Sequence, residues 1–235
     1  MSVTRNIQSS ALFCLPYING QPVNVSNGEP AITSANLTKQ TVLGAPFKWP
    51  WNRGLISLTT ESGTSDYFYP VSDYGFAEQA WLTDPNGKVT EIPVRKSLAA
   101  ESAVQRPQSV AVQLMDSDGN ITIRLNTVPN MVYQLDIYYQ KAPVMVASLA
   151  NTWGPIPDHL GYIYDWGFLA MISMLTKDAR FPAFAQKFVA HLLGAQDGLT
   201  ALERNIFLGN WLDVMTAQQR ATANVQQGTQ ARAGL

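Results

Sequence analysis

Helical periodicity marks both ends of the chain, and shorter alternating runs fill the middle. From about Thr4 to Ile18, the residues Ile7, Ala11, Cys14, Leu15 and Ile18 recur at helical spacing. Pro16 predicts a kink or stop near the end of that helix. A second helix is expected after Gly28-Glu29, with Pro30 at its first position, where the missing N–H is not needed. Ile32, Ala35, Val42 and Leu43 give it one apolar face, and Gly44 and Pro46 close it.

At Phe47 the period changes. Leu55 to Thr60 and Asp66 to Pro70 read as short strands of a first hairpin, joined by the turn-rich Glu61-Ser62-Gly63-Thr64-Ser65. Ala77 to Thr83 and Lys88 to Val94 flank Asp84-Pro85-Asn86-Gly87, where Asn-Gly accepts positive φ. Ser97 is placed to cap a short helix running through Gln105. Ser109 to Leu114 and Ile121 to Leu125 flank Asp116-Ser117-Asp118-Gly119-Asn120, a second hairpin signal. Met131 to Lys141 is the strongest strand, carrying Val132, Leu135, Ile137 and Tyr139. Tight turns join antiparallel neighbours, so this region is expected to be mostly antiparallel.

After the loop Asn151-Thr152-Trp153-Gly154-Pro155-Ile156-Pro157 the helical period returns. A helix starting at Pro157 or Asp158 keeps Leu160, Ile163, Tyr164, Phe168, Met171, Ile172 and Leu175 on one stripe. Pro182 opens the next helix, with Phe184, Phe188, His191 and Leu192 along it. Thr200 and Glu203 have capping-box spacing for a third, which carries Phe207, Trp211, Val214 and Met215. Gly194 and Gly198 make either a hinge or true breaks between these two. The predicted fold class is α+β, with a helical bundle from residues 1–46 and 155–217 and a central β domain over 47–154. From 218 to 235 the pattern disappears into an Ala-, Gln- and Thr-rich arm, with Arg220 and Arg232 its only charges. Such a segment is expected to be disordered or to order on a partner.

Composition sharpens this picture. A chain of 235 residues that is 46% hydrophobic can bury a substantial core. Only 14% of its residues are charged, and it carries 6 Trp, 9 Tyr and 9 Phe. Globular proteins average roughly 25% charged residues, and aromatic enrichment with few charges is the mark of protein interfaces or of an aromatic-rich core. The net charge of −1 argues against tight non-specific nucleic-acid binding. With one cysteine, Cys14, no intramolecular disulfide forms, and a reducing compartment is expected. No apolar run approaches the ~20 residues of a membrane span, so no membrane role is expected.

The search for chemistry returns little. The calcium-loop rhythm of Asp116 to Asn120 fails, because a Gly is needed at the sixth position and a Glu at the twelfth, where Thr127 stands. His159 and His191 lie in different helices with no second ligand at zinc spacing. Cys14 on an apolar helix face reads as a small buried hydrophobe. Glu61, Asp66, Asp73 and Glu78 stand near aromatic residues that suit sugar stacking, but carboxylates in strand connections are usually just solvated. No phosphate loop and no nucleophile elbow occur. No catalytic residue, cofactor or metal is therefore expected.

The densest local signal runs from Gly28-Glu29-Pro30-Ala31-Ile32 through Gly44-Ala45-Pro46-Phe47-Lys48-Trp49-Pro50-Trp51-Asn52-Arg53. With Asp66-Tyr67, the run from Tyr133 to Pro143 and the Leu160-Gly161-Tyr162 helix start, this order resembles the head–tail connector adaptor (gateway) proteins of tailed phages. The resemblance spans about Asn24 to Asp213. It implies a structural, non-enzymatic virion protein assembled in the bacterial cytoplasm. Such a protein forms a homo-oligomeric ring docked on the portal protein, with the β part toward a tail or nozzle protein. Double-stranded DNA would pass through the ring without sequence-specific binding, and the C-terminal arm would reach portal grooves. Another tail-completion or tail-tip subunit and a carbohydrate-active protein are the alternatives. Trp49, Trp51, Arg53, Arg220 and Arg232 are the candidate interface residues. For the two tryptophans, filling the seam between the helical and β parts is an equally open role.

Overall fold

In the computed structural model, which describes residues 5–18, 28–99, 101–114, 120–196, 198–213 and 216, the first apolar stripe forms α1 (Ile7–Cys14). Asn6 caps it by accepting from the Ser9 N–H at 2.8 Å, one of the donors a helix start leaves open. Ile7, Ala11 and Cys14 are buried, while Leu15 faces outward. Helix α2 (Ala31–Leu43) begins one residue later than expected, with Pro30 as its N-cap rather than its first turn. Two compact units make up the chain: Met1–Phe47 with Met145–Leu235, and Lys48–Val144.

The unit Lys48–Val144 holds the strands. These are β1 (Arg53–Thr59), β2 (Asp66–Pro70), β3 (Tyr74–Thr83), β4 (Val89–Ile92), β5 (Val94–Arg95), β6 (Glu101–Val104), β7 (Val110–Leu114), β8 (Asn120–Leu125), β9 (Thr127–Val128) and β10 (Gln134–Lys141). They form one sheet ordered β1-β10-β3-β4, another ordered β2-β8-β7-β5, and the small pair β6-β9. Both four-stranded sheets turn their apolar positions into one core. Ile56, Ala80, Leu82, Leu135 and Ile137 come from the first, and Val110, Ile121, Ile123 and Leu125 from the second. Alternation along each strand is what lets a single face carry these residues.

The β3–β4 and β7–β8 hairpins lie where the turn signals put them, both antiparallel. At the first, Asp84 Oδ1 accepts from the Asn86 and Lys88 N–H groups at 2.9 Å each, and Gly87 takes φ +79°. Residues 115–119 of the second turn lie outside the described residues. The β2 expectation holds in its bounds but not in its partner. β1 pairs with β10 and β2 with β8, so the expected first hairpin is instead a passage between sheets. Contacts with a later segment hold that passage: Thr60 N–H donates to Tyr133 O at 2.8 Å and Gly63 N–H to Pro129 O at 3.2 Å. The stretch after Ser97 is also corrected. It contains β6, which pairs in parallel with β9, rather than a helix. A partner strand distant in sequence overrides the weak local preference.

In the other unit a 3-10 turn (Asp158–Leu160) leads into α3 (Gly161–Leu175), followed by α4 (Phe181–Gly194) and α5 over residues 201–213. The chain leaves helical geometry between α4 and α5, so Gly194 and Gly198 mark a break. The capping box at α5 is formed: Glu203 N–H donates to Thr200 Oγ1 at 3.2 Å, and Thr200 N–H to Glu203 Oε2 at 2.9 Å. Val214 and Met215 lie outside the described residues, as does the arm with Arg220 and Arg232. α3 is buried on most of its circumference and packs against α1, α2 and α4.

A buried polar chain fixes the entry of this unit. Trp153 Nε1 donates to Ser10 Oγ at 2.7 Å, and Ser10 Oγ donates to Asp165 Oδ1 at 2.7 Å. Arg5 Nη2 completes the set on Asp165 Oδ2. Trp153 also stacks on Tyr164 at 4.4 Å. Burial raises the Asp165 carboxyl above the ordinary aspartate value, against the opposing pull of Ser10 and Arg5. Asp165→Ala would strand a buried hydroxyl and a guanidinium. It should lower unfolding free energy by about 2–4 kcal/mol in urea titrations followed by tryptophan fluorescence. The Tyr164 hydroxyl is buried with no hydrogen-bond partner among the described residues, so Tyr164→Phe should leave stability unchanged or raise it by about 1 kcal/mol in the same titration.

Candidate interface cluster

The residues from Trp49 to Arg53 are set by a 3-10 turn (Pro50–Asn52) that feeds β1. Proline at the start of the turn supplies its φ and has no N–H to leave open. The turn is clipped to the end of β10 by amides. Trp49 N–H donates to Gln140 Oε1 at 3.1 Å, and Gln140 Nε2 donates back to Trp49 O at 3.3 Å. Asn52 Nδ2 donates to Lys141 O at 2.9 Å. Trp49 is buried and stacks on the half-buried Trp51 at 5.0 Å with 29° between planes.

Arg53 is already engaged within its own unit. Its Nε and Nη2 donate to the two Glu78 oxygens at 3.0 and 2.6 Å, and its guanidinium lies 5.7 Å from the Tyr138 ring centre. The Glu78 carboxylate is only 4% exposed and also accepts from Gln140 Nε2 at 2.9 Å. One row therefore ties three adjacent strands: Arg53 on β1, Gln140 on β10 and Glu78 on β3. The fork geometry suits a guanidinium facing a carboxylate, and the amide adds a third donor to that nearly buried group.

The other carboxylates singled out from the sequence are engaged too. Asp66 faces its register partner Arg124 across β2 and β8, with a fork of 2.7 and 2.8 Å that holds its carboxyl below the ordinary value. Asp73 accepts from Tyr139 Oη at 2.7 Å and pairs with Lys141 Nζ at 2.9 Å. Burial would raise the Asp73 carboxyl, but the Lys141 and Tyr139 hydrogen bonds outweigh it and the net direction is down. Tyr139 is pushed up by burial and by the neighbouring Asp73, and burial pushes Tyr74 up to about 12. Gly54, opposite Tyr139 in the register, has no side chain because the ring lies over it. Glu61 is exposed, its N–H donating to Tyr67 Oη at 3.1 Å.

Among the described residues no group of three His, Cys, Asp or Glu is arranged to hold a metal. Nor is any described helix long and apolar enough to cross a membrane. Cys14 is buried, and its thiol is pushed up by burial and then by the Asp165 charge, which leaves it chemically quiet. His159 is exposed on its 3-10 turn. His191 lies against Tyr162 at 5.2 Å and Trp166 at 6.1 Å. Sequence reading singled out Trp49, Trp51 and Arg53 but not Glu78 and Gln140 as the partners of Arg53 and Trp49. The partners come from β3 and β10, and no local spacing encodes that register.

Gln140→Leu keeps the volume but removes the amide that bonds the Trp49 backbone and the Glu78 carboxylate. It should cost about 2–3 kcal/mol in chemical denaturation. Acid should act through Asp66 and Asp73. Because both are held below the ordinary value of 3.8, their stabilisation is present above that value and is lost as pH falls below it. The double variant Asp66→Asn, Asp73→Asn should therefore show a shallower loss of melting temperature below pH 4 than the parent chain. In comparisons with known proteins, no protein-family model matches the chain and no curated protein matches it.

Proposed function

We propose that the protein is a head–tail adaptor subunit of a tailed phage, forming a ring on the portal that extends the DNA channel and joins capsid to tail. The observation that carries this reading is how the surface is used. Several charged side chains pair with one another within the chain, as Arg53 does with Glu78, Arg124 with Asp66, Lys141 with Asp73 and Arg180 with Asp178. Large apolar side chains are left facing outward, among them Phe68 at 72% and Leu202 at 70% exposure. A chain only 14% charged that leaves such apolar groups exposed suits protein contact. It also suits a channel wall over which phosphates pass without being held.

In this reading the helices make up a bundle that packs on ring neighbours and on the portal. The β unit projects toward the tail, and the arm from 218, with Arg220 and Arg232, reaches the portal. Asp66 and Asp73, both held below the ordinary carboxyl value, weigh against these two serving as the acid of a glycoside hydrolase, which needs a raised carboxyl.

Sedimentation of the full chain with its portal ring tests the proposal. The chain should co-sediment in ring stoichiometry. Truncation after Gln218 should keep the circular-dichroism spectrum and weaken docking at least tenfold. A chain that stays monomeric and never joins the portal would contradict it.

A further inference from the structure

Helix α5 is apolar on two opposite sides. Phe207 and Trp211 are buried, Phe207 edge-on to Phe47 at 4.8 Å and Trp211 edge-on to Phe188 at 5.6 Å. At 3.6 residues per turn, Leu202, Ile206, Leu208 and Leu212 spread over the opposite arc, with Asn205 and Gly209 between them and Asp213 at its end. Their exposures are 70%, 55%, 38% and 60%. Polar residues (Glu203, Arg204, Asn205, Asn210 and Asp213) are interspersed round the helix, and among the described residues the large aliphatic side chains of this arc are left exposed.

The size of the face indicates what covers it. Four such side chains leave several hundred Å² of apolar surface, as large as the largest patch a monomer normally carries. That is roughly half of what one partner contributes to a stable interface. The same unit carries a second outward apolar face, Leu12 at 61% on α1 and Leu15 at 45% just after it, with Tyr17 beyond. Two different faces on one unit are what a head-to-tail contact requires, whereas a two-fold contact uses one face twice.

We infer that the outer face of α5 packs on the outer face of α1 of a second copy of this chain. The inference rests on the ring reading above and names its contact. The link is a heterologous one, repeated from copy to copy, and apolar burial supplies its driving force.

Two experiments on the full chain test it. In light scattering after gel filtration, wild type should run as a high-order assembly. The variant Leu202→Glu, Ile206→Glu should fall to the 25.8 kDa single chain, with association weakened at least tenfold and its melting transition retained. Should that variant fail to fold, size-conserving cysteines decide. Leu12→Cys with Leu202→Cys in one chain should give a ladder beyond dimer on mild oxidation, while Cys14 stays buried and unreactive and either single variant stays uncrosslinked. A folded charge variant that keeps its oligomer overturns this contact but leaves the ring reading standing. Dimers from Leu202→Cys alone overturn it as well, since they indicate a two-fold contact. A wild type that is monomeric with and without portal overturns both.

Discussion

The strand-rich unit depends on β10 being held between β1 and β3. Its inward side chains Leu135, Ile137 and Tyr139 fill the core that both sheets share, and its last turn outward is fixed by a buried amide. Gln140 can do what no apolar residue of its size can. One end accepts from a backbone N–H, and the other donates to a backbone carbonyl and to a carboxylate 4% exposed. The ladder with β3 shifts register on either side of this residue, between Tyr138 and Tyr139 and between Gln140 and Lys141. A polar pin at an irregular strand end fixes a pairing that apolar contacts alone would allow to slip.

The same economy shapes the surface. Asp66, Asp73 and Glu78 are spent on cross-strand and cross-segment pairs, and lowered Asp66 and Asp73 are poor proton donors at neutral pH. Shape and apolar area are also available for recognition. Trp51 keeps part of one face open beside the buried Trp49, Phe68 stands out from edge strand β2, and α5 shows four large aliphatic side chains. Such groups are the kind that drive protein association, in keeping with the assembly role proposed.

Local chemistry made much of this legible in the sequence. The α1 stripe, the capping box of α5 and the two tight hairpins each rest on residues within a few positions of one another. The mixed α+β class followed from where the period changed. Pairings between distant segments were not legible. The step from β1 to β2 looked like a hairpin because Gly63 and its polar neighbours suit a turn, yet Tyr133 and Pro129 hold that loop from 70 residues away in the chain. β6 looked helical because β9, its partner, lies beyond another hairpin. In the candidate cluster Trp49, Trp51 and Arg53 stood out as a dense local signal. Glu78 and Gln140 did not, because only the register of β3 against β10 brings them there. Arg5 and Asp165, 160 positions apart, were hidden for the same reason.

The central claim is that this exposed apolar surface is covered by other protein subunits. Negative-stain class averages of the purified full chain examine it directly. The account predicts closed annular particles with a central opening. Single globules of one chain's size, unchanged as concentration rises, would contradict it.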